Sequence, residues 1–188
     1  MGICKPVLLF VTMLCAAGVQ ADDAPAAPPA APLVVTEQVL ADTYARLQKL
    51  SQDGLSVRTY PLARALALLE EARREFYLRN RSGLVAAFVA SARELAEALE
   101  QDHDAVVPAD ANEALAAFGE PVAPLLWQRV ERLRAGSTFA CTGDKVARVE
   151  VLLLAAGNEQ RLLGWRAAVA RIAMAEERLD AAEAVTSC

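Results

Sequence analysis

Histidine occurs once in this 188-residue chain, at His103. Zinc centres take several His or Cys ligands at fixed spacing. No such set is present, so no metal is expected. A Ser-His-acid site would have to be built on His103, and no Gly-x-Ser-x-Gly elbow accompanies it. The acidic loop Glu100-Gln101-Asp102-His103-Asp104 has neither the spacing nor the glycine of an EF-hand, and it reads as a solvated loop. No glycine-rich phosphate cradle occurs, so no cofactor is expected. Carboxylates are plentiful, yet nothing singles out a catalytic pair. Together these absences point away from an enzyme.

Aromatic residues make up 5% of the chain, while alanine is abundant. That composition suits closely approaching helices better than a sheet. The formal net charge is −5. An acidic balance argues against a nucleic-acid partner, since phosphate neutralisation needs clustered Lys and Arg. Beyond the first two dozen residues no segment is long and apolar without charges, so no transmembrane segment is expected after processing.

The chain opens with one cation, Lys5, followed by an apolar run from Val7 to Val19 and a small-residue exit at Val19-Gln20-Ala21. This is the pattern of a cleavable signal peptide over residues 1–21, and the run is too short for a comfortable span of ~20 residues. Cys15 is a poor lipid attachment site, because Leu14 stands where a lipobox wants a small residue. Removing residues 1–21 from the 188-residue chain leaves 167, enough for one domain with a substantial core. Residues 22–33, beginning Asp22-Asp23-Ala24-Pro25, read as a Pro/Ala-rich tether, and residues 34–188 as a single all-α domain.

Apolar residues recur at helical spacing along that domain. Leu40, Tyr44, Leu47 and Leu50 mark a first helix ending near Asp53-Gly54. Pro61 opens a second, with Leu62, Ala65, Leu66, Leu69, Ala72 and Phe76 on one face and Arg64, Glu71, Arg74 and Glu75 on the opposite, solvent-facing side. After a four-residue turn, Asn80 to Gly83, a third helix carries Val85, Phe88, Val89, Ala92, Ala96 and Leu99. So short a turn forces an antiparallel pair. Asp110 with Glu113 reads as the capping box of a short helix stopped by Gly119, and Leu126 to Leu133 as another, stopped by Gly136. Val146 to Leu162 and a final helix from Trp165 through Leu179 turn at Gly164. An offset of 84 aligns Ala63, Arg64, Leu68, Leu69, Ala72 and Glu75 with Ala147, Arg148, Leu152, Leu153, Ala156 and Glu159. The expected fold is therefore about six helices: two antiparallel, tetratricopeptide-like hairpins joined by an irregular middle. Cys141 and Cys188 form an even pair in an oxidising compartment and are expected to be disulfide-bonded, pinning the C-terminus to the start of the preceding helix.

Two places stand out as binding candidates. At the first hairpin's end, Phe76, Tyr77, Arg79, Asn80 and Arg81 crowd aromatics and cations around a turn, a mixture found in contact hot spots and also at ordinary helix ends whose dipole favours cations. In the second hairpin, Asn158 and Glu159 interrupt an apolar run close to Trp165 and Arg166. They read either as a hydrogen-bonded group between helices or as the point where the helix leaves the core. Glu75 and Glu159 hold equivalent places, each able to lock an arginine across its hairpin.

Tyr60-Pro61-Leu62-Ala63-Arg64, Glu75-Phe76-Tyr77, Arg79-Asn80-Arg81-Ser82, Phe139-Ala140-Cys141, Val149-Glu150-Val151, Ala156-Gly157-Asn158-Glu159 and Trp165-Arg166-Ala167-Ala168 resemble the helical N-terminal region of certain OmpA-like cell-envelope proteins, over residues 60–182. The resemblance implies a periplasmic or outer-membrane-associated location and a helical accessory role. Such relatives carry a C-terminal peptidoglycan-binding domain. None is expected in this chain, so no ligand residues carry over. The functional expectation is an exported, non-enzymatic scaffold or adaptor that binds another envelope protein. The alternative is a periplasmic protein binding small molecules or cell-wall fragments in a groove lined by Trp165, Phe88 and Trp127.

Overall fold

The structure, a computed structural model, describes residues 33–108, 111–118 and 121–188, apart from the side chains at 113, 114 and 116. The expected signal peptide, Cys15, the tether up to residue 32 and the Asp110–Glu113 capping box with its Gly119 stop lie outside the described residues or side chains. Within them the fold is all-α, with no strand. Six helices of eleven residues or more are joined by one six-residue segment: α1 (Glu37–Gln52), α2 (Tyr60–Tyr77), α3 (Leu84–Gln101), the short α4 (Ala111–Ala116), α5 (Pro124–Arg134), α6 (Phe139–Leu163) and α7 (Trp165–Glu183).

Local signals account for most of the boundaries. Thr36 caps α1 by accepting the Val39 amide at 3.2 Å, and Gly54 ends it with φ +105°. Pro61 sits in the first turn of α2, where its missing N–H is harmless. Gly164, with φ +86°, makes the whole connection between α6 and α7. The apolar spacing placed the start of α6 at Val146, whereas the helix begins at Phe139, nearly two turns earlier. Two contacts carry the extra turns. Thr142 returns its hydroxyl to the Thr138 carbonyl at 3.0 Å. Gly143 lets α6 lie so close to the start of α2 that an added Cβ would meet Tyr60 Cβ at 3.0 Å. Glycine's helix penalty of ~1 kcal/mol is offset by that approach.

The helices form two antiparallel hairpins, α2–α3 and α6–α7, and each has a third helix packed on it. α1 lies on α2 and α3, and α5 lies on α6 and α7. The irregular middle thus contains the second hairpin's counterpart of α1, and the repeated unit has three helices. One core gathers Leu47, Leu62, Leu68, Leu69, Phe88 and Val89 from the first unit, with Val151 and Ala155 reaching in from α6. A second joins Leu126, Val130, Val146, Leu153, Ala168 and Leu179. Both cores, all the helices and the Cys141–Cys188 bridge lie within residues 33–188, inside one compact unit. The bridged Cα atoms are 5.7 Å apart, and Cys188 is held to the first turn of α6 as expected.

α2 departs from the sequence expectation. Its supposed solvent face is largely interior: Arg64, Glu71 and Glu75 are all buried, and only Arg74 remains outside. α3 covers one side of α2 and α6 the other, and Arg171 reaches in from α7. A helix packed on two sides keeps only a narrow polar strip in water, here Glu70, Arg73 and Arg74, so its other charges need buried partners. They have them: Arg64 pairs with Glu150 of α6, and Glu71 and Glu75 with Arg171 of α7.

Candidate functional site

α2 ends on a turn with a demanding backbone. The Asn80 amide donates to the Glu75 carbonyl and the Arg79 amide to the Phe76 carbonyl, each at 3.0 Å. This double closure is a Schellman motif, whose penultimate position is left-handed and favours glycine. Arg79 occupies it, with φ +58°. α1 closes in the same way, through Gly54 to the Ser51 carbonyl and Leu55 to the Leu50 carbonyl, but with glycine in the left-handed place.

The turn is fastened to the second hairpin by one amide side chain. Asn158 is fully buried on α6. Its Oδ1 accepts from Asn80 Nδ2 at 3.1 Å and from Ser82 Oγ at 3.2 Å, and its Nδ2 donates to the Phe118 carbonyl at 2.7 Å. Asn80 also donates to Glu75 Oε2 at 2.7 Å. The Oδ1 acceptor of Asn158 and one of its N–H donors are engaged between elements, so it is the hydrogen-bonded group and does not mark the helix leaving the core.

Beside it, Arg171 enters from α7 and is met by Glu71 and Glu75 of α2 and by Glu159 Oε1 of α6, the last at 2.6 Å. Glu75 and Glu159, the equivalent pair, thus hold one arginine between them. Burial pulls Arg171 down to about 10, still far above neutrality, so it stays a cation. Three carboxylates cannot share one guanidinium without strain. Burial, and then the neighbouring Glu75 charge, push Glu159 above the usual carboxylate range, against the pull of Arg74.

A second buried cluster lies toward the other end of α2. Arg64 donates to Glu150 and, at 2.6 Å, to Asn112 Oδ1, while the Tyr60 hydroxyl donates to Glu150. Arg134 of α5 lies 3.5 Å from the same carboxylate and stacks 5.4 Å above the Tyr60 ring. Burial raises Glu150, opposed first by Arg64 and then by the Tyr60 hydrogen bond. Burial, reinforced by the Glu150 charge, raises the Tyr60 phenol. In both clusters the charges are paired with one another, while the second oxygen of Glu159, Oε2, has no hydrogen-bond partner among the described residues.

The predicted residues therefore divide. Asn158 is buried and bonded to half-buried Asn80, and Glu159, also half-buried, pairs with Arg171 beside them. Phe76 is half-buried and packs edge-on against Tyr77, with ring centroids 5.6 Å apart. Tyr77, Arg79, Arg81, Trp165 and Arg166 are exposed. The expected groove of Trp165, Phe88 and Trp127 does not form: Phe88 is buried in the first core, Trp127 packs on the second, and Trp165 lies exposed at the start of α7. His103 is exposed, and Asp102 in its loop accepts the Asp104 amide at 2.9 Å. Among the described residues no group of three or more His, Cys, Asp or Glu could hold a metal ion, and no helix is long and apolar enough to cross a membrane.

What the sequence reading missed is a groove of about 530 Å³ crossing α2 between α1 and α6. Tyr44, Tyr77, Arg73, Arg148 and the exposed Glu70 line it. A smaller hollow of about 170 Å³ continues past Arg74 and Arg148 to Met174 and Arg178 of α7. Arg148 reaches Glu70 at 3.4 Å and Arg74 lies 4.0 Å from Glu71, while Arg73 and Arg178 face solvent. No single helix shows this surface, because its arginines come from α2, α6 and α7. Comparison with known protein families, curated proteins and solved structures finds no match to this chain.

Proposed function

We propose that this chain is an exported, non-enzymatic helical adaptor of the bacterial cell envelope, and that it holds an acidic segment of another envelope protein in the arginine-lined groove. The observation that supports this most is the groove itself. Arg73, Arg74, Arg148 and Arg178 converge on one open face of a chain whose formal net charge is −5. Guanidinium groups recognise carboxylates through paired, charge-assisted hydrogen bonds, and Tyr44 and Tyr77 supply rigid contact area at the groove's end. The ion-pair clusters beneath, Arg64 with Glu150 and Arg171 with Glu71 and Glu75, keep the groove walls in place. The likeness to OmpA-like envelope proteins and the N-terminal leader pattern support the location.

A photo-crosslinking residue tests this in cells. Placed at Tyr44, which is 40% exposed, it should give a discrete adduct that disappears when Arg73 and Arg148 are reversed to Glu. At Val57, 49% exposed and outside the groove, it should give none. Identical adducts from both positions, or none from either, would remove the basis of the proposal. The second reading, a cell-wall-fragment binder, draws on the same groove, since tyrosines beside arginines also suit sugars bearing carboxylates. Saturable binding of purified muropeptides, with no protein adduct at Tyr44, would favour it.

A further inference from the structure

The groove leaves one end of the molecule unused. α6 runs alongside α2 in the same direction, as the successive pairs Arg64–Glu150 and Asn80–Asn158 show. The α2–α3 turn and the α6–α7 turn therefore lie at the same end, with α6 projecting ~7 Å beyond Asn158 at 1.5 Å per residue. That end is apolar and cationic at once. Leu163 is 74% exposed, Leu78 64% and Trp165 55%. Arg79, Arg81 and Arg166 lie beside them in the chain, all exposed, and Arg161, also exposed, donates its Nε to the Phe118 carbonyl at 2.8 Å. Residues 76–83 and 160–172 contain no Asp or Glu, in a chain where acids outnumber bases 24 to 19.

Arg79 sharpens the point. The turn places it in a left-handed conformation that glycine would take without strain, as Gly54 does in the twin motif. A cation is kept there against the backbone's preference.

We propose that this end docks on a phospholipid surface bearing anionic headgroups. Leu163 and Trp165 enter the interfacial layer and the arginines bind lipid phosphates. Tryptophan favours the headgroup boundary because its ring is apolar and its N–H polar. Guanidinium matches the geometry of a phosphate oxygen pair. The apolar tip is too small to hold a bilayer by itself, so attachment is reversible and sensitive to salt. The groove, on the side of the molecule, stays open for a partner while the tip is engaged.

The test uses the disulfide-bonded chain from Asp22 onward, which contains the complete helical unit. Trp127→Phe leaves Trp165 as the only tryptophan to report. The probes are vesicles of phosphatidylcholine alone and of phosphatidylcholine mixed with phosphatidylglycerol, with brominated acyl chains as quenchers. Co-flotation with the anionic vesicles only, together with a blue shift and quenching of Trp165, is the expected result. Arg81→Ala with Arg166→Ala should weaken partitioning ~25-fold, at ~1 kcal/mol per arginine near the surface. Leu163→Glu should abolish the Trp165 response while circular dichroism stays helical. Equal binding to neutral vesicles, an unquenched Trp165, or indifference to both sets of substitutions would overturn the proposal. So would a chain that ignores both vesicle types but shifts its Trp165 emission when envelope proteins are added, which would make the tip a protein contact. The vesicles contain no protein, so the outcome is independent of whether the groove has a partner.

Discussion

The residue at the end of α2 offers a measurement that separates backbone from side chain. Arg79 has φ +58°, and both Schellman hydrogen bonds around it are formed at 3.0 Å. A left-handed conformation costs an L-residue ~1–2 kcal/mol, and glycine avoids most of that. Glycine's extra freedom in the unfolded chain takes back ~0.4–1 kcal/mol. The net gain from alanine to glycine at position 79 should therefore be about 1 kcal/mol. Arg79→Ala supplies the reference, because it removes the cation and its interaction with the helix end, ~0.3–1 kcal/mol, without relieving the backbone. Gly54 provides the mirror experiment. An added Cβ there meets nothing within 4 Å, so Gly54→Ala tests conformation alone and should lose about the same 1 kcal/mol. Urea unfolding of the four proteins, with matched m-values, gives each difference directly. In thermal scans 1 kcal/mol corresponds to roughly 2–4 °C for a domain of this size. Equal stability of Arg79→Ala and Arg79→Gly would mean that the turn is not left-handed in solution, and the argument that arginine is retained there against a structural preference would fail with it.

Removing Arg64 alone strands Glu150 in the interior and should destabilise the fold by ~3–5 kcal/mol, whereas Arg64→Met with Glu150→Leu should stay within ~1–2 kcal/mol of the parent; a double variant as unstable as the single one would contradict this. Glu159 has its carboxyl raised above about 4.5, so the folded state binds the proton more tightly and this group's contribution falls as pH rises from that value through the folded one. Glu159→Gln should therefore gain stability relative to the parent across that window, by no more than ~1.4 kcal/mol per pH unit, and a pH-independent difference would refute the assignment. Cys188→Ser opens a loop spanning 47 residues and should cost ~4 kcal/mol in the chain-entropy account. Its expected signature in hydrogen exchange is loosening concentrated in α7 and the first turns of α6, and uniform loosening of all helices would show that the bridge does more than pin the terminus.

Helix positions were legible because each rests on a local signal: Leu40–Leu47–Leu50 spacing, Pro61, Gly83 and Gly164 all act within a turn or two of themselves. The Cys141–Cys188 bridge, which spans 47 residues, was legible from the cysteine count instead. The start of α6 was not legible, since Thr142-Gly143 reads as a weak helix until Tyr60 is brought against it from eighty residues away. The face of α2 was misread for a related reason. Charges at helical spacing describe a solvent face only when one side of the helix is packed, and periodicity cannot say whether a second layer will cover it. Part of the candidate site could be read: Asn158 and Glu159 were conspicuous as polar residues after an apolar run, and the aromatic–arginine turn was visible outright. Arg171 was hidden among alanines on α7, although an arginine flanked by Ala170 and Ile172 on an otherwise apolar stretch was a usable sign of burial. The groove had no sequence signature, because its four arginines come together only through packing.

Why the two units should be joined by charge follows from the composition. Alanine- and leucine-rich helices present nearly the same surface at many offsets, and the six residue matches between α2 and α6 show how alike these two are. An apolar seam between them would be satisfied one turn up or down at small cost. Arg64–Glu150, Arg171 with its three carboxylates, and Asn80–Ser82–Asn158 cannot be displaced together: a slip of one turn leaves buried ions and amides without partners, at several kcal/mol for each stranded charge. Buried pairs contribute little net stability against apolar substitutes, so what they supply at this joint is a single register. The exposed ends need that register most. The groove requires Arg148 of α6 opposite Arg73 and Arg74 of α2, and the tip requires Leu163 and Trp165 at the same end as Leu78 and Arg79. A joint free to slide would scatter both surfaces while leaving each hairpin intact.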